Sequence, residues 1–144
     1  MSAAAGYSAR PLPGKLGLKD GQRALFVDLP DVLSGLAEAC DFAEVRSTSW
    51  SEVAACGSGY DVAHGFTRSA VELKTGLDVL RIAIRMDGMI WISWPKKAAK
   101  VPTDVTEDVV RGLALEGDLV DVKVCAVDDV WSGLKLVVRK DLRH

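Results

Sequence analysis

Asp61 to Pro95 reads DVAHGFTRSAVELKTGLDVLRIAIRMDGMIWISWP and holds two strands with a helix between them. Asp61 to Thr67 is a short apolar run of strand length. Ser69-Ala70-Val71-Glu72 has capping-box spacing: the serine accepts from the third backbone N–H and the glutamate reaches back. Leu73, Leu77, Leu80 and Ile84 then recur at helical spacing and make one apolar stripe. Asp87-Gly88 is expected to stop that helix. Met89 to Trp94 (MIWISW) is continuous enough to be a strand buried on both faces, and Pro95 ends it. Strand, helix and strand at this spacing form a right-handed crossover, so the two strands run parallel.

The flanks extend the pattern. Upstream, Arg23 to Leu29 (RALFVDL) follows an Asp20-Gly21 turn and reads as a buried strand. Asp31 to Ala39 is expected as a short helix with Asp31 as N-cap, and Phe42 to Arg46 as a weak strand. Ser49 and Glu52 share capping-box spacing, which predicts a short helix from Trp50 to Cys56 closed by Gly57. Downstream, Lys96 to Pro102 is a loop. Asp104 and Glu107 repeat the capping-box spacing, with Val105, Val109 and Leu113 on one face and Gly117 as the stop. Val120, Val122 and Val124 alternate with polar neighbours, as do Leu134, Leu136 and Val138. These are two half-exposed strands joined by Asp128 to Gly133; with no helix between them they pair antiparallel. The expected fold is a three-layer α/β/α Rossmann-like domain with a mostly parallel sheet and a C-terminal antiparallel hairpin. Met1 to Gly14, rich in small residues, is expected to be a flexible arm, leaving residues 15–144 as one domain.

Composition narrows the function. The 144 residues carry 18 Lys plus Arg and 20 Asp plus Glu, a net charge of −2, so binding to nucleic acid through phosphates is disfavoured. No apolar run reaches membrane-spanning length, and the first residues lack the apolar core of a signal peptide. Cys40, Cys56 and Cys125 are odd in number and far apart, which predicts reduced thiols in a cytoplasmic protein. His64 is the single non-terminal histidine and is expected to be buried and satisfied; no metal and no cofactor are predicted.

The layout resembles the Rossmann-like core of class I methyltransferases. Leu16 to Leu29 (LGLKDGQRALFVDL) is similar to their first strand and its lead-in, and Asp61 to Pro95 to their fourth strand, helix and fifth strand. Leu119 to Lys140 is similar to their terminal hairpin. SWPKKAAKVPTDVTEDVV (Ser93 to Val110) and VDVKVCAVDDVWSGLKLVVRK (Val120 to Lys140) resemble a bacterial domain family of unknown function, a likeness that implies a fold and no activity. The chain departs from the methyltransferase pattern at one decisive place. A dinucleotide or S-adenosylmethionine site needs a glycine-rich turn after the first strand, so that backbone N–H groups face the ligand. Here that turn is Asp28-Leu29-Pro30-Asp31-Val32-Leu33. It has no glycine before Gly35, and Pro30 removes one N–H. Glu44 is the nearest offer for a ribose-binding acid, and one layout strand between Arg46 and Asp61 is missing. The usual cofactor pocket is therefore expected to be absent or collapsed.

Ligands of open α/β sheets bind beyond the C-terminal ends of the parallel strands. That edge is expected to gather Asp28, Pro30, Thr67, Arg68 and Ser69, then Trp94, Lys96 and Lys97 from the next strand end. Trp131 and Ser132 would start the last strand beside Trp94. The Lys96, Lys97, Lys100 cluster is the most suggestive feature, able to hold a phosphate or carboxylate on a rim that runs to Thr103 near helix N-termini. The plainer alternative is a solvated loop whose lysines balance Asp104, Glu107 and Asp108. Trp94 and Trp131 either line a pocket or seal a core. Asp128 and Asp129 either hold a cation or shape a turn. No residue is assigned as catalytic. The expectation is a non-catalytic module that binds a protein partner or a small anionic ligand, with self-association through an exposed Trp50 or Trp131. The alternative is an atypical S-adenosylmethionine-dependent methyltransferase.

Overall fold

The computed structural model describes residues 11–143. Six strands form one sheet in the order β2-β1-β3-β4-β6-β5: β1 Arg23–Val27, β2 Glu44–Thr48, β3 Tyr60–Phe66, β4 Ile84–Pro95, β5 Leu119–Ala126 and β6 Trp131–Val138. β1 pairs parallel with β2 and β3, and β3 parallel with β4; β6 pairs antiparallel with β4 and β5. The helices are α1 Leu12–Lys15, α2 Ala70–Ala83 and α3 Glu107–Glu116. The result is a three-layer α/β/α Rossmann-like fold with a terminal hairpin, as the sequence predicts.

Two apolar cores hold the layers together. On one face Leu73, Leu77 and Leu80 of α2 and Val110 and Ala114 of α3 pack on Leu25, Ile90, Ile92 and Leu136. On the other, Leu16, Leu18, Leu33 and Leu36 cover Phe26, Phe66 and Trp91. Trp91 is fully buried, and its Nε1 donates to the Leu16 carbonyl at 2.8 Å. That bond satisfies the one polar atom of the ring and pins the segment after α1 to the sheet. The expected arm, Met1 to Gly14, falls outside the described residues as far as Arg10, and Leu12 to Gly14 belong to α1.

Several boundaries differ from the sequence reading, each for a local reason. Helix α2 ends at Ala83, and Asp87-Gly88 lies inside β4 instead of ending the helix. Ile84 pairs with Tyr60 while Met89 pairs with Val62, so β4 carries extra residues across a bulge. A Cβ at Gly88 would come within 3.0–3.1 Å of the Asp61, Arg85 and Tyr60 carbonyls, so the glycine permits the close passage. Helix α3 is capped by Thr106, whose hydroxyl accepts from the Val109 N–H at 3.2 Å, and not by Asp104. Asp31 is no cap either: it opens a 3-10 helix, Asp31–Glu38, preceded by Pro30. Ser49 spends its hydroxyl on Ser51, and only Val53–Cys56 turns, as a 3-10 helix. The strand missing from the methyltransferase layout is missing here: no strand lies between Thr48 and Tyr60.

Candidate functional site

The C-terminal ends of β1 and β3 are built differently from a phosphate-gripping turn. Asp28 follows β1 with φ 54°, a left-handed conformation that an aspartate tolerates better than most residues. Its N–H is already committed to the Thr48 carbonyl at 2.9 Å. Pro30 has no N–H, and its carbonyl accepts from Leu33. Neither Asp28 nor Pro30 therefore offers a free N–H at the corner after β1.

After β3, Thr67 organises the start of α2. Its hydroxyl donates to the Glu72 carboxylate at 2.7 Å and accepts from the Ser69 N–H at 3.1 Å. Ser69 caps the helix by accepting from the Glu72 N–H at 3.2 Å. The capping box is thus half of the expected one, because Glu72 reaches Thr67 and not the serine N–H. The first turn of α2 also holds one of the chain's own carboxylates: Asp104 accepts from the Ala70 N–H at 2.8 Å. Thr103 supports that contact by donating to the Arg68 carbonyl at 2.8 Å.

Between these corners lies a cavity of about 570 Å³, with Asp28, Phe66, Arg68, Glu72 and Trp131 among its walls. Phe66 and Trp131 meet edge to face, centroids 5.3 Å apart, and give it an aromatic side. Trp131 is held by the Asp128 carboxylate, which accepts from the N–H groups of Val130 and Trp131 at 2.8 and 2.7 Å. Asp128 is therefore a turn-former. Burial, and then the charge of Glu72, raise the Asp28 carboxyl above its ordinary range. Arg68 is exposed and belongs to no ion pair among the described residues.

The expected rim comes together only in part. Arg68, Ser69 and Trp131 line the cavity with Asp28 and Pro30. Trp94 is buried in the core under α2 and α3, on the opposite face of the sheet from Trp131. Ser132 is half-buried and pairs with Trp94 in the β4–β6 register. Lys96, Lys97 and Lys100 lie on and around a 3-10 turn, Lys97–Ala99, outside the cavity lining. They do not balance the neighbouring acids, since Glu107 and Asp108 pair with Arg111. Thr103 is engaged with Arg68, as above.

Two features were not anticipated from the sequence. Glu72 supplies a second carboxylate to the cavity. And Trp50, following β2, inserts its ring between β3 and α2, with Nε1 donating to the Phe66 carbonyl at 2.8 Å. The ring fits because Gly65 and Gly76 have no side chains: a Cβ on Gly65 would stand 2.6 Å from the indole, and one on Gly76 would overlap it. The signal was two glycines inside regular elements, where each is otherwise unfavourable.

His64 is buried as expected. Its Nε2 lies 2.7 Å from the Ser93 hydroxyl and its ring stacks on Phe66 at 4.2 Å. Burial lowers its pKa to about 3, so it is neutral at physiological pH. Among the described residues no cluster of three or more His, Cys, Asp or Glu is placed to hold a metal, and no helix is long and apolar enough to cross a membrane.

The chain matches no protein-family model and no curated protein. Its fold is shared by solved methyltransferases. A SAM-dependent methyltransferase from Aquifex aeolicus superposes with a TM-score of 0.67 at 14% identity, covering 89% of this chain and 88% of that one. Magnesium protoporphyrin IX methyltransferase from Synechocystis PCC 6803 with bound SAM gives 0.62 at 14% identity, covering 83% and 71%. N-methyltransferase NodS from Bradyrhizobium japonicum WM9 gives 0.58 at 11% identity, covering 84% and 88%. At these identities the likeness establishes the methyltransferase-like fold.

Proposed function

We propose that the chain is a binding module of methyltransferase architecture whose ligand is a small molecule bearing a positive centre. The observation that supports this most is the pairing of Asp28 and Glu72 beside the Phe66–Trp131 wall, at the strand edge where open α/β sheets receive ligands. Two carboxylates and an aromatic face attract a sulfonium or ammonium group by Coulomb and cation–π terms. Arg68 at the mouth offers a partner for a carboxylate on the same molecule. This replaces the small anionic ligand expected from the lysine loop, because those lysines do not line the cavity.

Methyl transfer from SAM is the second reading, and the shared fold favours it. SAM carries a sulfonium and an amino-acid end, and both suit this cavity. The corner at Asp28–Pro30 nevertheless offers few free N–H groups for a nucleotide grip. One experiment separates charge recognition from shape recognition: thermal unfolding with millimolar SAM or its neutral product S-adenosylhomocysteine. SAM is expected to raise the midpoint and S-adenosylhomocysteine to raise it less. Equal shifts would count against a cation site, and no shift from SAM would remove SAM as the ligand.

Asp28→Asn sharpens the test. Asparagine also accepts a left-handed backbone, so the corner is kept. A carboxyl whose folded pKa is raised opposes folding at neutral pH, where it must be charged, and this cost fades as pH falls. The unliganded variant is therefore expected to be at least as stable as the parent at pH 7, while its response to SAM is lost.

A further inference from the structure

A second charged feature lies at the other edge of the sheet. Lys123 of β5 and Lys135 of β6 are direct partners in the antiparallel register. Lys135 is also paired with Trp91 of β4. Directly opposed residues point to the same face, so both lysines share the face on which Trp91 holds Leu16. Lys19 follows that segment, and it lines a groove of about 300 Å³ together with Lys135 and Gln22. The groove opens where β1 and β3 begin, at the end of the sheet away from Asp28.

Like charges set directly across an antiparallel pair are destabilising. Here nothing offsets them. Every ion pair among the described residues uses arginine, and none uses lysine. The two acids in the groove are engaged elsewhere: Arg85 pairs with Asp61 at 3.7 Å and with Asp87 at 3.3 Å, and Asp61 also accepts from the Arg23 N–H at 2.8 Å. Burial, and then the charges of Lys123 and Lys19, lower the pKa of Lys135.

We propose that Lys19, Lys123 and Lys135 form a binding site for a small phosphorylated molecule, independent of the Asp28 cavity. Ammonium groups suit phosphate as point charges: Lys19 and Lys135 line the groove and Lys123 stands beside Lys135 across the strand pair, so the three suit a compact anion with more than one charge. The groove is too small, and the chain too acidic overall, for a nucleic-acid track. An anion bridging Lys123 and Lys135 turns an unfavourable cross-strand pair into a favourable one.

The test is thermal unfolding of the full chain in pyrophosphate against sodium chloride at matched ionic strength. Pyrophosphate is expected to raise the midpoint by about 3 °C or more. Lys123→Gln is expected to raise the midpoint without pyrophosphate, by relieving the repulsion, and to abolish the pyrophosphate response. Lys135→Gln should also abolish it, and Lys74→Gln on the exposed side of α2 should leave it intact. No rise in the parent would overturn the proposal. So would an undiminished rise in Lys123→Gln and Lys135→Gln, or an equal rise from sulfate, which would mark a general salt effect and not a phosphate site.

Discussion

Gly76→Ala is expected to destabilise the protein by about 2 kcal/mol, although the same change inside a helix ordinarily stabilises by roughly 0.5–1 kcal/mol. The reversal comes from Trp50. Gly76 lies within α2, and a Cβ there would overlap the six-membered ring of the indole. The indole is held from the far side by its bond to the Phe66 carbonyl and by Gly65 beneath it. It must be driven out, or α2 must lift from β3. Trp50→Ala is destabilising for the complementary reason, since it empties the slot and leaves the Phe66 carbonyl without that donor. The double variant is the sharper measurement. With the ring gone, the alanine methyl fills part of the vacated space, so the two losses should fall short of additive by about 1 kcal/mol or more. Urea midpoints of the four proteins give the result. Strict additivity would mean that the slot does not couple the two residues.

The second large effect is acid sensitivity from His64. Its folded pKa is lowered to about 3, against an ordinary value of 6.5 in the unfolded chain. Between these values the unfolded state takes up a proton that the folded state refuses, so the stability present above pH 6.5 drains away as pH falls. By pH 4.5 the loss is about 3 kcal/mol, a large share of the roughly 5–15 kcal/mol that typically holds a domain together. The buried imidazole has Ser93 as its hydrogen-bond partner and otherwise aromatic neighbours, Phe26, Phe66 and Trp91. Replacing both polar partners, as His64→Leu with Ser93→Ala, removes the titration without stranding a hydroxyl. Unfolding free energies measured from pH 7.5 to 4.5 should fall steeply in the parent and more gently in the double variant. Parallel slopes would show that His64 is not what refuses the proton.

Much of the architecture was legible because local and long-range preferences agree. Leu73, Leu77 and Leu80 sit at helical spacing behind a serine cap, and α2 buries all three. MIWISW is apolar on both faces, and the middle of β4 is covered on both. The errors fall where a neighbour in space overrules a local signal. Ile84 continues the stripe of α2, but its pairing with Tyr60 draws it into the sheet, and Asp87-Gly88 becomes a bulge and not a stop. Asp104 has the spacing to cap α3, but it caps the adjoining α2. The site was legible in location and less so in content. Thr67, Arg68, Ser69 and Trp131 reach the expected edge. Trp94 does not join Trp131, because the β4–β6 register pairs Trp94 with Ser132 and sets the two indoles on opposite faces. The slot for Trp50 left only a faint signal, two glycines inside regular elements, because Gly65 and Gly76 face one another only after β3 and α2 pack.

The proposed function has a methyltransferase-like scaffold hold its ligand through side chains at a proline-stiffened corner and not through a backbone grip. A crystal structure of the full chain soaked in SAM tests this directly. The expected result is ligand density in the cavity with the sulfonium beside the Asp28 and Glu72 carboxylates, and with the Trp50 indole unmoved between Gly65 and Gly76. An adenosyl group seated in that slot with Trp50 expelled, or gripped by the backbone of Asp28 to Asp31, would contradict the account.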